Sequence, residues 1–172
     1  MTSRIVLTVI AQDRAGLVDR LAMSIAEVGG NWVESSMARL GGEFAGIVSV
    51  DVDTAAVEGL ETLFKSLQKD GIEVSLRAGK KREERPVGSV ATLELLSQDH
   101  PGILRKVTRI LNEYAVSIDS LETEVTPGSM SGEPMFRAVA KLHIPPGLTT
   151  QTLGDALQAT AADMMADIKL GE

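Results

Sequence analysis

The chain has 172 residues, of which 44% are hydrophobic, 24% are charged and only 3% are aromatic, a composition that suits one or two small globular domains with aliphatic cores. Its formal net charge of −7 argues against nucleic-acid binding, which depends on cations that neutralise phosphates. The absence of cysteine excludes disulfides and thiolate metal sites, and no stretch approaches the roughly 20 apolar residues of a membrane helix. We therefore expect a cytoplasmic protein that binds neither DNA nor a membrane.

The first half of the chain predicts the order strand, helix, strand, strand, helix, strand. Apolar and polar side chains alternate over Arg4–Ala11, as in a strand with one buried face. Apolar residues then recur at helical spacing until Gly29–Gly30 ends the helix, and two later strands meet at Gly41–Gly42, a hairpin signal. The remaining predicted elements are strands over Asn31–Leu40 and Glu43–Val52, a helix that begins after Asp53–Thr54, and a strand over Ile72–Arg77.

The second half of the chain repeats this order. The letters QDRAG at Gln12–Gly16 return as QDHPG at Gln98–Gly102, 86 positions later, and the alignment continues without a gap through the next helix, so the chain is an internal duplication. The offset then grows to 92, because Thr126–Pro134 replaces the short turn at Gly41–Gly42. The predicted elements of this half are strands over Val87–Ser97, Val116–Thr126, Pro134–Ile144 and Ala166–Leu170, and helices over Ile103–Tyr114 and Thr149–Asp163.

This pattern predicts an α+β protein of two ferredoxin-like βαββαβ domains, each an antiparallel sheet with its helices on one face. We place the domains at residues 1–79 and 87–172, with a charged linker at 80–86. The phase of the second strand is ambiguous, because Trp32 and Val33 would point to opposite faces, and a β-bulge would resolve it. The sheet face away from the helices is half apolar, which allows contact with a second chain, so a homo-oligomer is one expectation.

A strand, then DRAG or DHPG, then a helix, with Asn31 or Ser117 opening the next strand, resembles the ACT domain, a small βαββαβ module that binds amino acids and controls enzymes or regulators. Two such copies without a catalytic domain are similar to the glycine cleavage system transcriptional repressor family. This resemblance implies a protein that senses glycine and restrains a DNA-binding transcriptional activator by contacting it. It also implies that the protein does not bind DNA itself.

The turn between the first strand and first helix of each copy is a physically suitable amino-acid site. The first N–H groups of a helix lack internal partners, and the helix dipole adds partial positive charge, so a carboxylate is well received there. An adjacent aspartate would accept the ligand's ammonium, and we expect each glycine to lie in the first helical turn, where a closely approaching ligand would offset its low helix propensity. The candidate ligand-binding residues are Asp13, Arg14, Ala15, Gly16, Leu17, Asn31, Asp99, His100, Pro101, Gly102, Ile103 and Ser117.

Structural interpretations of these residues stay open. Asp13 and Asp99 would also serve as helix N-caps, the two glycines as helix–sheet packing positions, and Asn31 as a simple turn residue. Copy one has Ala15 where copy two has Pro101, so equal ligand use by the two copies is an open question.

The alternative function is a structural or protein-interaction ACT module that regulates another protein without binding a small ligand. We do not expect an enzyme, because no nucleophile motif or phosphate-cradling loop is present. We also predict no cofactor and no metal, because the only two histidines, His100 and His143, lack metal-ligand spacing.

Overall fold

The computed structural model describes residues 1–80, 85–130 and 132–171. The chain forms two compact units, Met1–Glu83 and Glu84–Glu172, called unit 1 and unit 2 below. The predicted linker at 80–86 lies mostly outside the described residues. No helix in the described part of the chain is both long enough and apolar enough to cross a membrane.

Unit 1 has the six predicted elements in the predicted order, with one addition. A 3₁₀ turn at Thr54–Ala56 precedes the second helix, and Asp53 caps it by accepting a hydrogen bond from the Ala55 N–H at 2.9 Å. The elements of unit 1 are β1 (Thr2–Gln12), α1 (Leu17–Glu27), β2 (Asn31–Leu40), β3 (Glu43–Asp53), α2 (Val57–Gln68) and β4 (Ile72–Ala78).

Unit 2 repeats the same order, and its element ends lie within two residues of the predicted ones. The longer connection between its middle strands, from Pro127 to Pro134, replaces the two-residue turn of unit 1. The elements of unit 2 are β5 (Ser89–Gln98), α3 (Ile103–Glu113), β6 (Ser117–Pro127), β7 (Pro134–Ile144), α4 (Thr150–Met164) and β8 (Asp167–Gly171).

Each unit contains a four-stranded antiparallel sheet, in the order β2-β3-β1-β4 in unit 1 and β6-β7-β5-β8 in unit 2. This is the order of the split βαβ pattern, so the prediction of two ferredoxin-like domains is confirmed. Leu7 and Leu93, at equivalent positions, are 0% and 2% exposed. Burial of one such side chain stabilises the fold by about 1.5–3 kcal/mol, so two aliphatic cores compensate for the scarcity of aromatic residues.

The predicted β-bulges are present in both copies. The pairing register shifts between Trp32 and Glu34 in β2 and between Ile118 and Ser120 in β6. Each of these strands contains one extra residue. In β2 this residue lets Trp32 lie on the same sheet face as its partner Val50, which is buried in the core. After the bulge, the side chains of β2 again alternate between the two sheet faces. The ambiguous phase of this strand therefore has a structural cause.

The glycine of each strand-to-helix turn adopts a left-handed backbone. Gly16 has φ 89° and Gly102 has φ 90°, and each is the N-cap of its helix, which begins one residue later. The expectation that these glycines lie inside the first helical turn is therefore wrong. A residue with a Cβ is strained in this conformation, so the backbone itself requires glycine, without any need for helix–sheet packing or a ligand.

Replacing either turn glycine with alanine should destabilise the protein. We expect Gly16→Ala and Gly102→Ala each to lower the free energy of unfolding by about 1–2 kcal/mol, because alanine disfavours the left-handed region. Gly154→Ala is the matched control, since this glycine lies inside α4 with open space around an added Cβ and should gain about 0.5–1 kcal/mol. Urea unfolding followed by circular dichroism measures all three, and equal effects of the turn and helix substitutions would contradict the conformational argument.

An ion pair joins two strands of unit 1 on the open face, the sheet face away from the helices. The Arg4 guanidinium donates from Nε to Asp51 Oδ1 and from a terminal nitrogen to Oδ2, each at 2.7 Å. These hydrogen bonds, and then the charge of Arg4, hold the pKa of Asp51 below its ordinary value of 3.8. The pair is a two-point contact between β1 and β3, which are adjacent in the sheet.

The lowered pKa of Asp51 gives a signed prediction for acid stability. The ionised carboxylate stabilises the fold above its unfolded-state pKa near 3.8, and that contribution is lost as the pH falls through the lower folded-state value. The stability difference between the native protein and Asp51→Asn should therefore shrink progressively below pH 3.8. Urea unfolding of both proteins over an acidic pH series checks this, and a difference that stays constant would refute it.

Candidate functional site

The strand-to-helix turn of unit 1 is held by side chains of its own unit. The Asp13 N–H donates to the Gly42 carbonyl at 3.0 Å, and the Asp13 carboxylate pairs with Arg39 at 2.8 Å. The Arg14 guanidinium donates to the backbone carbonyl of Asp70, beyond the end of α2. The turn therefore connects the β2–β3 hairpin to the start of β4, and its aspartate already has a cationic partner.

The turn of unit 2 has the same backbone anchor but different side chains. The Asp99 N–H donates to the Pro134 carbonyl at 2.8 Å, which places the turn beside the end of the β6–β7 loop. Among the described residues, the Asp99 carboxylate has no hydrogen-bond or ion-pair partner. Val125 occupies the position equivalent to Arg39, as both residues pair with the phenylalanine of the next strand. Unit 2 thus leaves its aspartate available.

Both helices start with backbone donors that their own helix does not use. In α1 the first helical hydrogen bond runs from Arg20 to the Gly16 carbonyl at 3.0 Å, and in α3 it runs from Lys106 to the Gly102 carbonyl at 3.2 Å. Neither helix has a side-chain cap, so the interpretation of Asp13 and Asp99 as N-caps is wrong. The unpaired amides, within the described part of the chain, belong to Leu17, Val18, Asp19, Ile103, Leu104 and Arg105.

The charge near the two helix starts differs. The third helical residue is Asp19 in α1 and Arg105 in α3, so only α1 carries an acidic side chain in its first turn. The carboxylate of Asp19 itself interacts favourably with the positive helix end and repels another anion. Arg105 attracts an anion instead. The helix start of unit 2 is therefore the better receptor for a ligand carboxylate.

The structure separates Asn31 and Ser117 from the turns of their own units. Asn31 pairs with Asp51, which also pairs with Arg4 near the start of β1, whereas the turn follows Gln12 at the other end of that strand. At 3.3 Å per residue, the two ends lie roughly 26 Å apart, which is too far for one small ligand. Ser117 occupies the equivalent position opposite His143 in unit 2.

The remaining predicted site residues lie in the turns themselves. Leu17 and Ile103 are buried in the cores, so only their N–H groups can contact a ligand at the turn. Ala15 and Pro101 are exposed, and His100 is half-buried with Nδ1 3.2 Å from the Pro101 carbonyl oxygen. These residues, with the adjacent aspartates and glycines, form one compact turn per unit.

Sequence reasoning missed two partners of the unit 1 turn and one neighbour of the unit 2 turn. Arg39 and Asp70 bind residues of the first turn, although they lie far from it along the chain. The β6–β7 loop adjoins the second turn through Pro134. The proximity of each hairpin to its turn could have been predicted from the fold, because the end of β1 and the β2–β3 connection must meet at one end of a βαββαβ sheet.

The described residues offer no metal centre, since none of their histidine and carboxylate side chains form a group of three or more that could hold an ion. What the turns provide is a set of backbone donors beside an aspartate. This arrangement can bind a carboxylate and an ammonium group together.

Each half of this chain matches a known protein-family model. Residues 3–77 and residues 91–157 each match a family model described as an ACT domain. A UPF0237 protein of Methanocaldococcus jannaschii is 37% identical over 75 residues, which cover 44% of this chain and 82% of that protein. The glycine cleavage system transcriptional repressor of Escherichia coli is 21% identical over 166 residues, which cover 94% of this chain and 86% of the repressor.

A solved structure agrees with this picture along the whole chain. An unknown protein from Galdieria sulphuraria superposes with a TM-score of 0.88 at 28% sequence identity, and the match covers 100% of this chain and 99% of that one. The tandem arrangement of two βαββαβ units therefore occurs in another protein of the same size.

Proposed function

Because the chain belongs to the ACT-domain family and carries two such domains in tandem, we propose that it is a regulatory protein that senses a small amino acid, glycine in the first instance. In this proposal it controls transcription of glycine cleavage genes by binding a DNA-binding activator in the cytoplasm, and it does not bind DNA itself. ACT domains generally bind amino acids and regulate partner proteins. A relative that matches 94% of this chain is named as a transcriptional repressor of the glycine cleavage system.

The observation that carries the proposal is the pair of helix starts with unpaired amides beside an aspartate. A free amino acid presents a carboxylate and an ammonium within a few ångströms, and the turn offers complementary groups at the same scale. Glycine, which has no side chain, needs no further pocket at such a turn. The net charge of −7 supports action through a protein partner rather than through DNA.

We place the principal ligand site at the turn of unit 2. Asp99 has no competing cation among the described residues, whereas Asp13 must release Arg39 before it can accept an ammonium group. Arg105 also replaces Asp19 near the carboxylate position. Arg39 therefore adds to the repulsion from Asp19 in weakening ligand binding in unit 1, with an exposed ion pair worth about 0–1 kcal/mol and a charge at a helix start worth about 0.3–1 kcal/mol.

The β6–β7 loop is the proposed link between ligand and partner. The Asp99 N–H donates to Pro134 at its base, so a ligand that orders the turn also acts on the loop. Leu96, Met130 and Met135 line a cavity of about 430 Å³ beside it, and Met130 is fully exposed. Methionine adapts readily to a partner surface.

Shortening this loop to Gly–Gly, as in unit 1, should weaken binding to the activator of the glycine cleavage genes, and unaltered affinity would exclude the loop as the contact.

A protein-interaction module without a ligand is the second candidate. It is favoured by unit 1, whose turn is tied by Asp13 to Arg39 and by Arg14 to the Asp70 carbonyl. Contacts of this kind make the turn a structural connection between elements. The two candidates can coexist in one chain, with unit 1 as scaffold and unit 2 as sensor.

Glycine should raise the melting temperature of the protein. At 100 times its dissociation constant a ligand adds about 2.7 kcal/mol of stability. Asp99→Asn, which removes the charge at constant size, should eliminate most of this gain, because the ammonium group loses its partner. Differential scanning fluorimetry with glycine and other small amino acids gives the measurement.

Asp13→Asn is the matched control and should leave most of the glycine response in place. Equal losses in the two variants would overturn the assignment to unit 2 while leaving a sensor intact. A flat response of the native protein to the whole amino-acid panel would instead leave only the interaction module.

A further inference from the structure

The outer edge of the unit 2 sheet is a long strand with a neighbour on one side only. β6 is the first strand in the order β6-β7-β5-β8, and among the described residues it pairs with β7 alone. It has 11 residues, and every one of them is exposed. Arg85 pairs with Asp119 at the bulge near its start. Beyond the bulge, the outward N–H and C=O groups of Ser120–Thr126 form a regular template for one more strand.

The helix-side face of this strand carries apolar side chains that the helices leave uncovered. Leu121 pairs with the buried Ala140, and Val125 pairs with Phe136, which packs against the core, so both lie on the sheet face that the helices cover. Leu121 is nevertheless 40% exposed and Val125 is 54% exposed. Apolar side chains on an added strand would lie beside them and remove this surface from water.

The other face of β6, the open face of unit 2, is acidic. Glu122 and Glu124 alternate with the apolar residues, and the strand contains no lysine, arginine or histidine. Glu122 has no ion-pair partner among the described residues, whereas Glu124 lies 3.4 Å from a terminal nitrogen of Arg137. Arg137 and Lys141 both lie on β7, one strand further from the edge. A strand added to β6 would therefore meet carboxylates first on this face.

The internal repeat shows that these two stripes are a property of unit 2. In β2 of unit 1, Ser35 and Arg39 occupy the positions of the exposed apolar residues, and Ser36 and Ala38 occupy the positions of the glutamates. Both units have the same strand order and the same bulge. The βαββαβ fold therefore does not require an apolar and an acidic stripe on this edge.

The charges disfavour a second copy of this chain as the occupant of the edge. Two β6 strands paired in antiparallel fashion would place Glu122 and Glu124 of both copies on one shared face, and like charges side by side destabilise a strand pair. A segment in which basic and apolar side chains alternate has the complementary pattern. A DNA-binding protein carries many such cations, because it must neutralise phosphates.

From the free edge and its two unlike faces, we propose that β6 binds an extended segment of a protein partner as an added strand. Lysine or arginine side chains of that segment face Glu122 and Glu124, and its apolar side chains cover Leu121 and Val125. This inference rests on the proposed action through a protein partner and does not depend on amino-acid binding. The β6–β7 loop continues directly from Pro127 at the end of the strand, so edge and loop form one continuous surface.

Amide NMR of the full chain with the synthetic peptide acetyl-KVKVKVK-amide tests the proposal. We expect saturable binding with a dissociation constant below about 1 mM. Hydrogen exchange should slow at every second amide between Ser120 and Thr126, because an added strand pairs with the outward N–H groups. The shuffled peptide acetyl-KKVVVKK-amide and the acidic peptide acetyl-EVEVEVE-amide should each bind at least about tenfold more weakly.

Two variants with matched controls locate the contact. Glu122→Gln should weaken binding of the alternating basic peptide about threefold, and Glu94→Gln, on the central strand β5 of the same face, should leave it unchanged. Leu121→Ser, which copies unit 1, should weaken binding to a similar extent. Its control is Val18→Ser on α1, where the side chain is 46% exposed, comparable to the 40% of Leu121.

Equal binding of the alternating and shuffled peptides, or binding without slower exchange in β6, would reveal attraction by charge alone and overturn the proposal. So would β6 amides that are protected in the free chain and lose protection on dilution, because a second copy would then occupy the edge. Peptide binding in a chain that ignores glycine would support this contact and count against the sensor. A glycine response without peptide binding would keep the sensor and overturn this contact.

Discussion

The left-handed backbone at the end of the first strand of each unit is the constraint on which the proposed chemistry depends. Gly16 and Gly102 have nearly the same φ and ψ, and each is followed at once by its helix. This conformation starts the helix without a side-chain cap, so its first amides stay unpaired within the described structure. An aspartate cap would have satisfied one of these donors and placed its own carboxylate where a ligand carboxylate would bind.

The internal repeat contains two such turns, and their side-chain contacts differ. In unit 1, Arg39 pairs with the aspartate and Arg14 binds a distant carbonyl, so the turn contributes to the fold. In unit 2 the equivalents of these arginines are Val125 and His100, and a longer hairpin adjoins the turn. The turn of unit 1 is thus held by its own side chains, whereas the Asp99 carboxylate of unit 2 has no partner among the described residues.

The sequence predicted the fold well because local signals and the repeat agreed. Alternation in β1, helical spacing in α1 and the glycine pair before β3 each gave an element, and the second copy checked the first. The site was predicted less completely. Periodicity cannot show that Asn31 starts its strand at the far end of the sheet from Asp13, or that Arg39 reaches that aspartate, because both depend on which strand ends meet. The sequence also placed each left-handed glycine inside its helix. A helix start that moves by one residue changes the φ expected for this glycine, and periodicity does not fix the start that closely.

The central claim is that the exposed amides of α3 bind the carboxylate of an amino acid, and amide NMR on the full chain tests it most directly. During titration with glycine, the N–H signals of Ile103, Leu104 and Arg105 should shift in a saturable manner, and the signals of the α4 interior, such as Gly154, should stay in place. If glycine and the other small amino acids leave those three signals unmoved at every concentration, the turns hold the fold together and sense nothing.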